Sequence, residues 1–279
     1  MITAPLLRHI APPVQQDQDR AVNAEAPTPP KMTETRRTDA PARLVLADMS
    51  VTLEGRPVLD ALSLDLSFHR LGVVGRNGSG KSTLARLIAG LIAPDSGTIR
   101  LNGADLARDR RAALREVGIL FQNPDHQIIF PTVIEEVAFG LAQLGQGKRA
   151  ATDAARDTLA RFSKQIWADT PIAALSQGQK HLVCLMAIVA MNPRCLILDE
   201  PFAGLDIPTK AQLRRYLALY PGAVIHISHD PTDLEDSDQL LWLEKGRIAA
   251  QGPHTEVNTA YLSEMHQQGE RDDISDLPG

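Results

Sequence analysis

Cysteine is scarce in this chain: only Cys184 and Cys195 occur, both in apolar surroundings. Two such residues make neither a disulfide framework nor a thiol metal cluster. They read as small buried hydrophobes of a reducing compartment. A basic excess is missing too. Lys and Arg number 29 against 34 Asp and Glu, a net charge of -5, so the footprint of a general nucleic-acid binder is absent and no nucleic-acid partner is expected. Long hydrophobic runs are also lacking. The longest, Leu182 to Met191, is about half of the ~20 residues that a membrane-spanning helix needs. The amino terminus has no continuous apolar core of a secretory signal. Any work at a membrane therefore requires a partner that supplies the spanning part.

What is present is an ordinary globular composition, 43% hydrophobic and 23% charged over 279 residues. That length holds one substantial core, or one core and a small subdomain. Residues 1–42 are rich in Pro, Ala, Gln and charge, with APTPPK at 26–31, and are expected to be disordered. Met32, opening MTETRRTDAP, offers an alternative start. Residues 267–279, ending in GERDDISDLPG, are expected to form a flexible acidic tail. Between them, residues 43–266 read as one domain without internal repeats.

Within that domain apolar runs predict strands at 44–46, 58–66, 71–74, 117–121, 195–198, 224–227 and 240–243. Helical stripes lie between several of them: Leu84, Leu87, Ile88 and Leu91; Ala151, Ala155, Leu159 and Phe162; Leu213, Tyr216, Leu217 and Tyr220. Strands alternating with helices predict an α/β fold with a parallel sheet. The early strands, with no helix between them, predict an antiparallel subdomain beside it.

The nonamer GRNGSGKST follows the apolar run Leu71–Val74 and precedes a helical stripe. Its pattern is G-x-x-x-x-G-K-[ST]. Gly75, Arg76, Asn77, Gly78, Ser79 and Gly80 form a loop whose backbone N–H groups can turn inward around phosphate oxygens, at the positive end of the next helix. Lys81 is placed to reach the β- and γ-phosphates, Ser82 to coordinate Mg²⁺, and Thr83 completes the loop. A second site follows in CLILDE. Asp199 is placed to hold the Mg²⁺ shell, and Glu200 to orient or deprotonate an attacking water. Together they point to nucleotide hydrolysis, with ATP and Mg²⁺ as the expected ligands.

Three more stretches accompany these: LSQGQ at 175–179, FAGLD at 202–206 and HISHD at 226–230. Gln122 ends GILFQ. The set, in this order, resembles the ATP-binding cassette ATPases over residues 43 to 255. The resemblance implies a P-loop cassette fold with a RecA-like parallel core, an antiparallel β-subdomain and a helical signature subdomain at about 123–190. It implies that Gln122 senses Mg²⁺ and water and links the site to a transmembrane partner. Ser176, Gly178 and Gln179 belong to the signature, which meets the γ-phosphate of ATP held by the opposite subunit. Asp206 lies in the loop crossing the dimer interface, and His229 contacts the γ-phosphate. His226 is expected to be a satisfied core histidine. Two positions depart from the family. Gln177 stands where Gly is usual, which is tolerable if φ is negative there. Leu53 stands where an aromatic ring usually stacks on adenine, so Leu53 and Arg56 are the expected adenine contacts. One phosphate loop and one signature per chain imply a dimer, most simply a homodimer.

The stretch NPDHQIIFPTVIEEVAFG, 123–140, resembles the ATPases of energy-coupling factor transporters. The resemblance implies a transmembrane T component, whose coupling helices dock near Ile128, Ile129 and Phe130, and a substrate-binding S component. It also implies a position at the cytoplasmic face of the inner membrane. The phosphate loop and signature look most like those of biotin transporter ATPases, and cobalt and nickel ATPases have similar loops. Asp125-His126-Gln127 matches this family stretch rather than a metal site. A soluble cassette protein of translation or DNA maintenance is disfavoured: a single cassette is present, with 93 residues between Lys81 and Leu175 and no sustained heptads. A metabolic P-loop kinase would leave the signature and His229 unexplained.

Overall fold

Two periodicities, one of two residues and one of 3.6, divide the chain between sheets and helices. In the computed structural model, which describes residues 40–271, the chain begins with β1 (Ala42–Leu53), β2 (Arg56–Phe68) and β3 (Arg70–Val74), followed by α1 (Lys81–Ile88). Next come β4 (Ser96–Leu101), β5 (Ala104–Asp105), α2 (Arg110–Glu116) and β6 (Val117–Leu120). Three helices follow: α3 (Val133–Gln143), α4 (Lys148–Arg161) and α5 (Gln177–Met191). The remainder is β7 (Cys195–Asp199), α6 (Ile207–Ala218), β8 (Ala223–Ile227), β9 (Gln239–Glu244), β10 (Arg247–Pro253) and α7 (His254–Arg271).

The first sheet is antiparallel, in the order β2-β1-β4-β5. On β1 the buried residues are Ala42, Leu44 and Leu46, then Met49 and Val51. A bulge at Asp48, with φ of 46°, shifts the phase by one residue, so both halves of the strand face the core. Ala61, φ 47°, does the same for β2. The second sheet runs β10-β9-β3-β8-β7-β6, parallel except for the β9–β10 hairpin. Its central strands are buried on both faces, as a helix-covered parallel sheet requires. The mixed α/β class expected from the sequence is the one observed.

The largest apolar cluster lies between the two sheets and α1, and includes Leu44, Leu59, Phe68, Leu84, Leu87 and Ile197. A second cluster packs α3, α4 and α5 against β6 and β7 and includes Leu159, Phe162, Met186 and Leu198. A smaller one seats Val257 and Tyr261 of α7 on Val74 and Leu240.

Some details differ from the sequence reading. Leu91 does not extend the α1 stripe. The helix stops at Ile88, Gly90 takes φ of 68°, and Leu91 N–H donates to the Arg86 carbonyl, leaving the Leu91 side chain 54% exposed. Ala42, grouped with the disordered amino terminus, is buried in β1. Residues 267–271, grouped with the tail, continue α7. The rest of both expected flexible ends, 1–39 and 272–279, lies outside the described residues. The sequence reading omitted β4 and β10. Only Ile99 and Leu101 of β4 are buried, and no β10 residue is, so neither strand carries a strong apolar pattern.

Candidate active site

The phosphate loop leaves the carboxyl end of β3, and Asp199 and His229 follow from the same ends of β7 and β8. This is where ligands sit in an open parallel sheet. A cleft of about 460 Å³ is lined by Val58, Asn77, Gly78, Gly80, Lys81, Ser82, Thr83, Gln122, Glu200 and His229. Residues more than a hundred positions apart in sequence therefore meet at one cavity.

Lys81 is the first residue of α1 and is buried. Its Nζ donates to the carbonyls of Gly75 (2.7 Å) and Arg76 (3.0 Å), so the ammonium is held inside the loop that precedes it. Burial pulls its pKa below the ordinary lysine value, and the carboxylates of Glu200, Asp199 and Glu244 oppose that shift. Arg76 points the other way, Nη1 donating to Gln268 Oε1 of α7 at 3.0 Å. Ser82 Oγ donates to Asp199 Oδ1 at 3.1 Å. Asp199 is 5% exposed, and burial raises its pKa while the Ser82 hydroxyl opposes the rise. A buried carboxylate beside a hydroxyl is an all-oxygen donor pair of the kind Mg²⁺ takes. The residues present fit that ion.

Glu200 occupies the left-handed region, with φ of 52°. Its two oxygens both face His229: Oε1 accepts the backbone N–H at 3.0 Å, and Oε2 lies 2.7 Å from Nδ1. An ionised carboxylate can only accept, so the imidazole carries its proton on Nδ1 and, when neutral, presents Nε2 as an acceptor. Each carboxylate oxygen keeps a further lone pair for a water. The arrangement can activate water beside a cradle for phosphate.

The signature residues stand apart from this cleft and none of them lines it. Ser176 is the N-cap of α5 in a capping box: its Oγ accepts from Gln179 N at 3.3 Å, and Gln179 Oε1 accepts from Ser176 N at 2.8 Å. The Gln179 side chain is thus engaged within its own helix. At Gly178 an added Cβ would collide with Thr209 Cγ2, so the signature turn packs closely on α6. Gln177 lies in the first turn of α5 and not among the positive-φ residues, which accommodates its side chain. Asp206 caps α6, accepting from Thr209 N at 2.8 Å.

Other expectations are altered. Leu53 is 37% exposed, and Val58, rather than Leu53 or Arg56, lines the cleft. His226 is edge-on to Phe202, but its buried Nε2 has no partner among the described residues, and burial pulls its pKa down to about 4. It is a half-buried histidine, not a core one, and lacks the expected hydrogen bond at Nε2. Of the three apolar residues after Gln122, only Ile129 is exposed, at 68%. Ile128 packs partly against the second cluster, and the Phe130 ring lies 5.0 Å from that of Phe139. Asp125 pairs with Lys180 at 2.7 Å. The sequence reading missed Glu136, a buried carboxylate in the first turn of α3. Its Oε2 accepts the N–H groups of Ile129 and Phe130, each at 2.9 Å.

The fold and cleft define a P-loop ATPase of the cassette type. The chain belongs to the ABC transporter family, whose model matches residues 59–203, and is an ATP-binding ATPase. It is 49% identical over 217 residues to the biotin transport ATP-binding protein BioM of Rhodobacter capsulatus, covering 77% of this chain and 93% of that protein. It is 38% identical over 194 residues to the energy-coupling factor transporter ATP-binding protein EcfA1 of Streptococcus thermophilus, covering 66% and 70%. Among solved structures, CbiO1 of Clostridium perfringens, part of the ABC transporter complex CbiONQ, matches with a TM-score of 0.66. That match has 26% identity and covers 83% of this chain and 96% of that one. Among the described residues no helix is long and apolar enough to cross a membrane.

Proposed function

We propose that this chain is the ATP-hydrolysing subunit of an energy-coupling factor type importer of a micronutrient, biotin first among them. The observation that carries the reading is the 49% identity to a biotin transport ATP-binding protein, over 93% of that protein's length. In this reading the phosphate loop, residues 75–80, binds the phosphates of ATP through its N–H groups, and Lys81 and Thr83 complete the cradle. Ser82, Asp199 and Gln122 would hold Mg²⁺, which when bound neutralises charge on the phosphates. Glu200 orients a water, takes its proton as the oxygen attacks the γ-phosphorus, and so lets ADP leave. His229, fixed by Glu200, contacts the γ-phosphate.

The signature turn (Ser176, Gly178 and Gln179) and the Asp206 loop complete the site of a second ATPase subunit, a copy of this chain. Closure of that dimer on ATP drives a transmembrane T component docked at the face carrying Ile129, and a substrate-binding S component carries the cargo. The ATPase is then peripheral, on the cytoplasmic face of the inner membrane. The test is to purify the chain with its bound membrane subunits from the native cell, and to measure uptake of labelled biotin, cobalt and nickel in a strain lacking it. Loss of biotin uptake alone supports the reading. Loss of cobalt or nickel uptake alone moves the cargo to the metal ions, and loss of none, with no membrane subunit co-purifying, rejects the transport role.

A further inference from the structure

His181 is 1% exposed and joins two segments that the sequence keeps 59 residues apart. Its Nδ1 lies 3.2 Å from the Gln177 carbonyl, and its Nε2 lies 3.1 Å from the Gln122 carbonyl. Both oxygens are acceptors, and a neutral imidazole has one N–H to give. The Gln177 carbonyl already serves the helical ladder of α5, where the acceptor lies four residues before the donor. The Gln122 carbonyl receives no backbone N–H among the described residues. A neutral ring serves the otherwise undonated Gln122 carbonyl in the tautomer that carries the proton on Nε2.

We propose that His181 is a positioning residue for the ATPase site: from the first turns of α5 it holds the Gln122 backbone, and so fixes where the Gln122 side chain stands in the cleft. The neighbouring Lys180 grips the same segment, its Nζ 2.7 Å from Asp125 Oδ1. Glu136 holds the far end through the N–H groups of Ile129 and Phe130. Residues 122–130 are thus attached to the signature helix at one end and to α3 at the other. Because α5 begins at the Ser176 cap, a shift of that turn moves the segment carrying Gln122 with it. The inference rests on the proposed role of Gln122 for its effect on turnover, but the contact itself does not.

The experiment therefore has two readouts on the full-length chain. Hydrogen–deuterium exchange of peptide 121–130 reads the contact. His181→Leu, which removes the donor and keeps an apolar side chain of similar bulk, should speed exchange there by about fivefold, roughly the loss of one hydrogen bond. Unchanged exchange would overturn the proposal. Steady-state hydrolysis reads the consequence. His181→Leu should lower kcat by about three- to tenfold with KM for ATP changed less than about twofold, and should add nothing in a Gln122→Ala background. An equal loss in both backgrounds assigns His181 to general stability and rejects the positioning role. If the Leu variant melts early, His181→Gln and His181→Asn replace it. The longer amide reaches the Gln122 carbonyl and should retain about half the rate or more, while the shorter one should not. Equal rates for the two would count against the proposal. A Gln122→Ala variant that turns over normally rejects the role given to Gln122, whereas the exchange result still decides the contact.

Discussion

Both carboxylate oxygens of Glu200 are committed to one residue, His229, through its backbone N–H and its ring Nδ1. A carboxylate held at two points has its remaining lone pairs fixed in direction, so the place of any water it takes and the placement of the histidine depend on each other. Glu200→Gln keeps the shape and removes the basicity. Turnover should fall by about two orders of magnitude or more, while nucleotide binding persists and ATP traps a dimer visible by size exclusion. His229→Ala in that background should add little further, since residues acting as one unit are non-additive. Near-normal hydrolysis by Glu200→Gln would remove it from the proposed role.

Completion of each site by a second copy can be read by mixing. Lys81→Ala disables the phosphate loop, and Ser176→Arg puts bulk at the α5 cap. Each homodimer should be close to inactive. A mixed dimer keeps one site with both halves intact, so if the two sites work independently activity should recover to roughly a quarter of wild type in a random equal mixture, and to about half in purified mixed dimers. Confirmed mixed dimers with no recovery would reject the arrangement.

Ile129 and Phe130 are neighbours with different surroundings. Ile129→Asp should leave melting and ATP binding unchanged and weaken co-purification with the membrane partner by about tenfold or more, as for a truncated interface anchor. Phe130→Ala removes a half-buried ring from its contact with Phe139. It should lower the stability of the free chain by about 1–2 kcal/mol in urea unfolding. Equal effects of the two changes on partner binding, with none on stability, would make Phe130 part of the docking face instead.

Asp206 gives a pH signature. Hydrogen bonds from Thr209 hold its carboxyl below the ordinary value of 3.8. A carboxylate depressed in the folded state stabilises the fold above its unfolded pKa, and this contribution is lost as pH falls through the lower folded value. Asp206→Ala should therefore lower Tm between about pH 6 and 8, with the difference narrowing below about pH 4. A difference independent of pH would mean that the charge does not contribute.

The central strands were legible in the sequence because β3 and β7 are buried on both faces and read as unbroken apolar runs. The weak alternation in β4 and β10 reflects residues that mostly face solvent, β10 at the edge of its sheet. The phosphate loop, the Asp199–Glu200 pair and His229 were legible because their chemistry demands fixed residue types at fixed spacing. His181 and Glu136 were not. Each binds backbone atoms of a distant or irregular segment, and nearly every residue type offers the same carbonyl or N–H there, so no pattern in the sequence announces them. Phe130 was grouped with Ile128 and Ile129 by its place in the chain, because its ring contact with Phe139 in α3 leaves no mark in the spacing.

The left-handed backbone at Glu200 sets folding and chemistry against each other at one position. A non-glycine residue in that conformation costs roughly 1–2 kcal/mol, which glycine would not incur. A library of position 200 selected for thermal stability alone should enrich glycine and asparagine and discard the carboxylate, whereas selection for ATP hydrolysis should restore it. If Glu200 has the proposed role, it is kept by selection for activity, against a standing pull from the stability of its own turn.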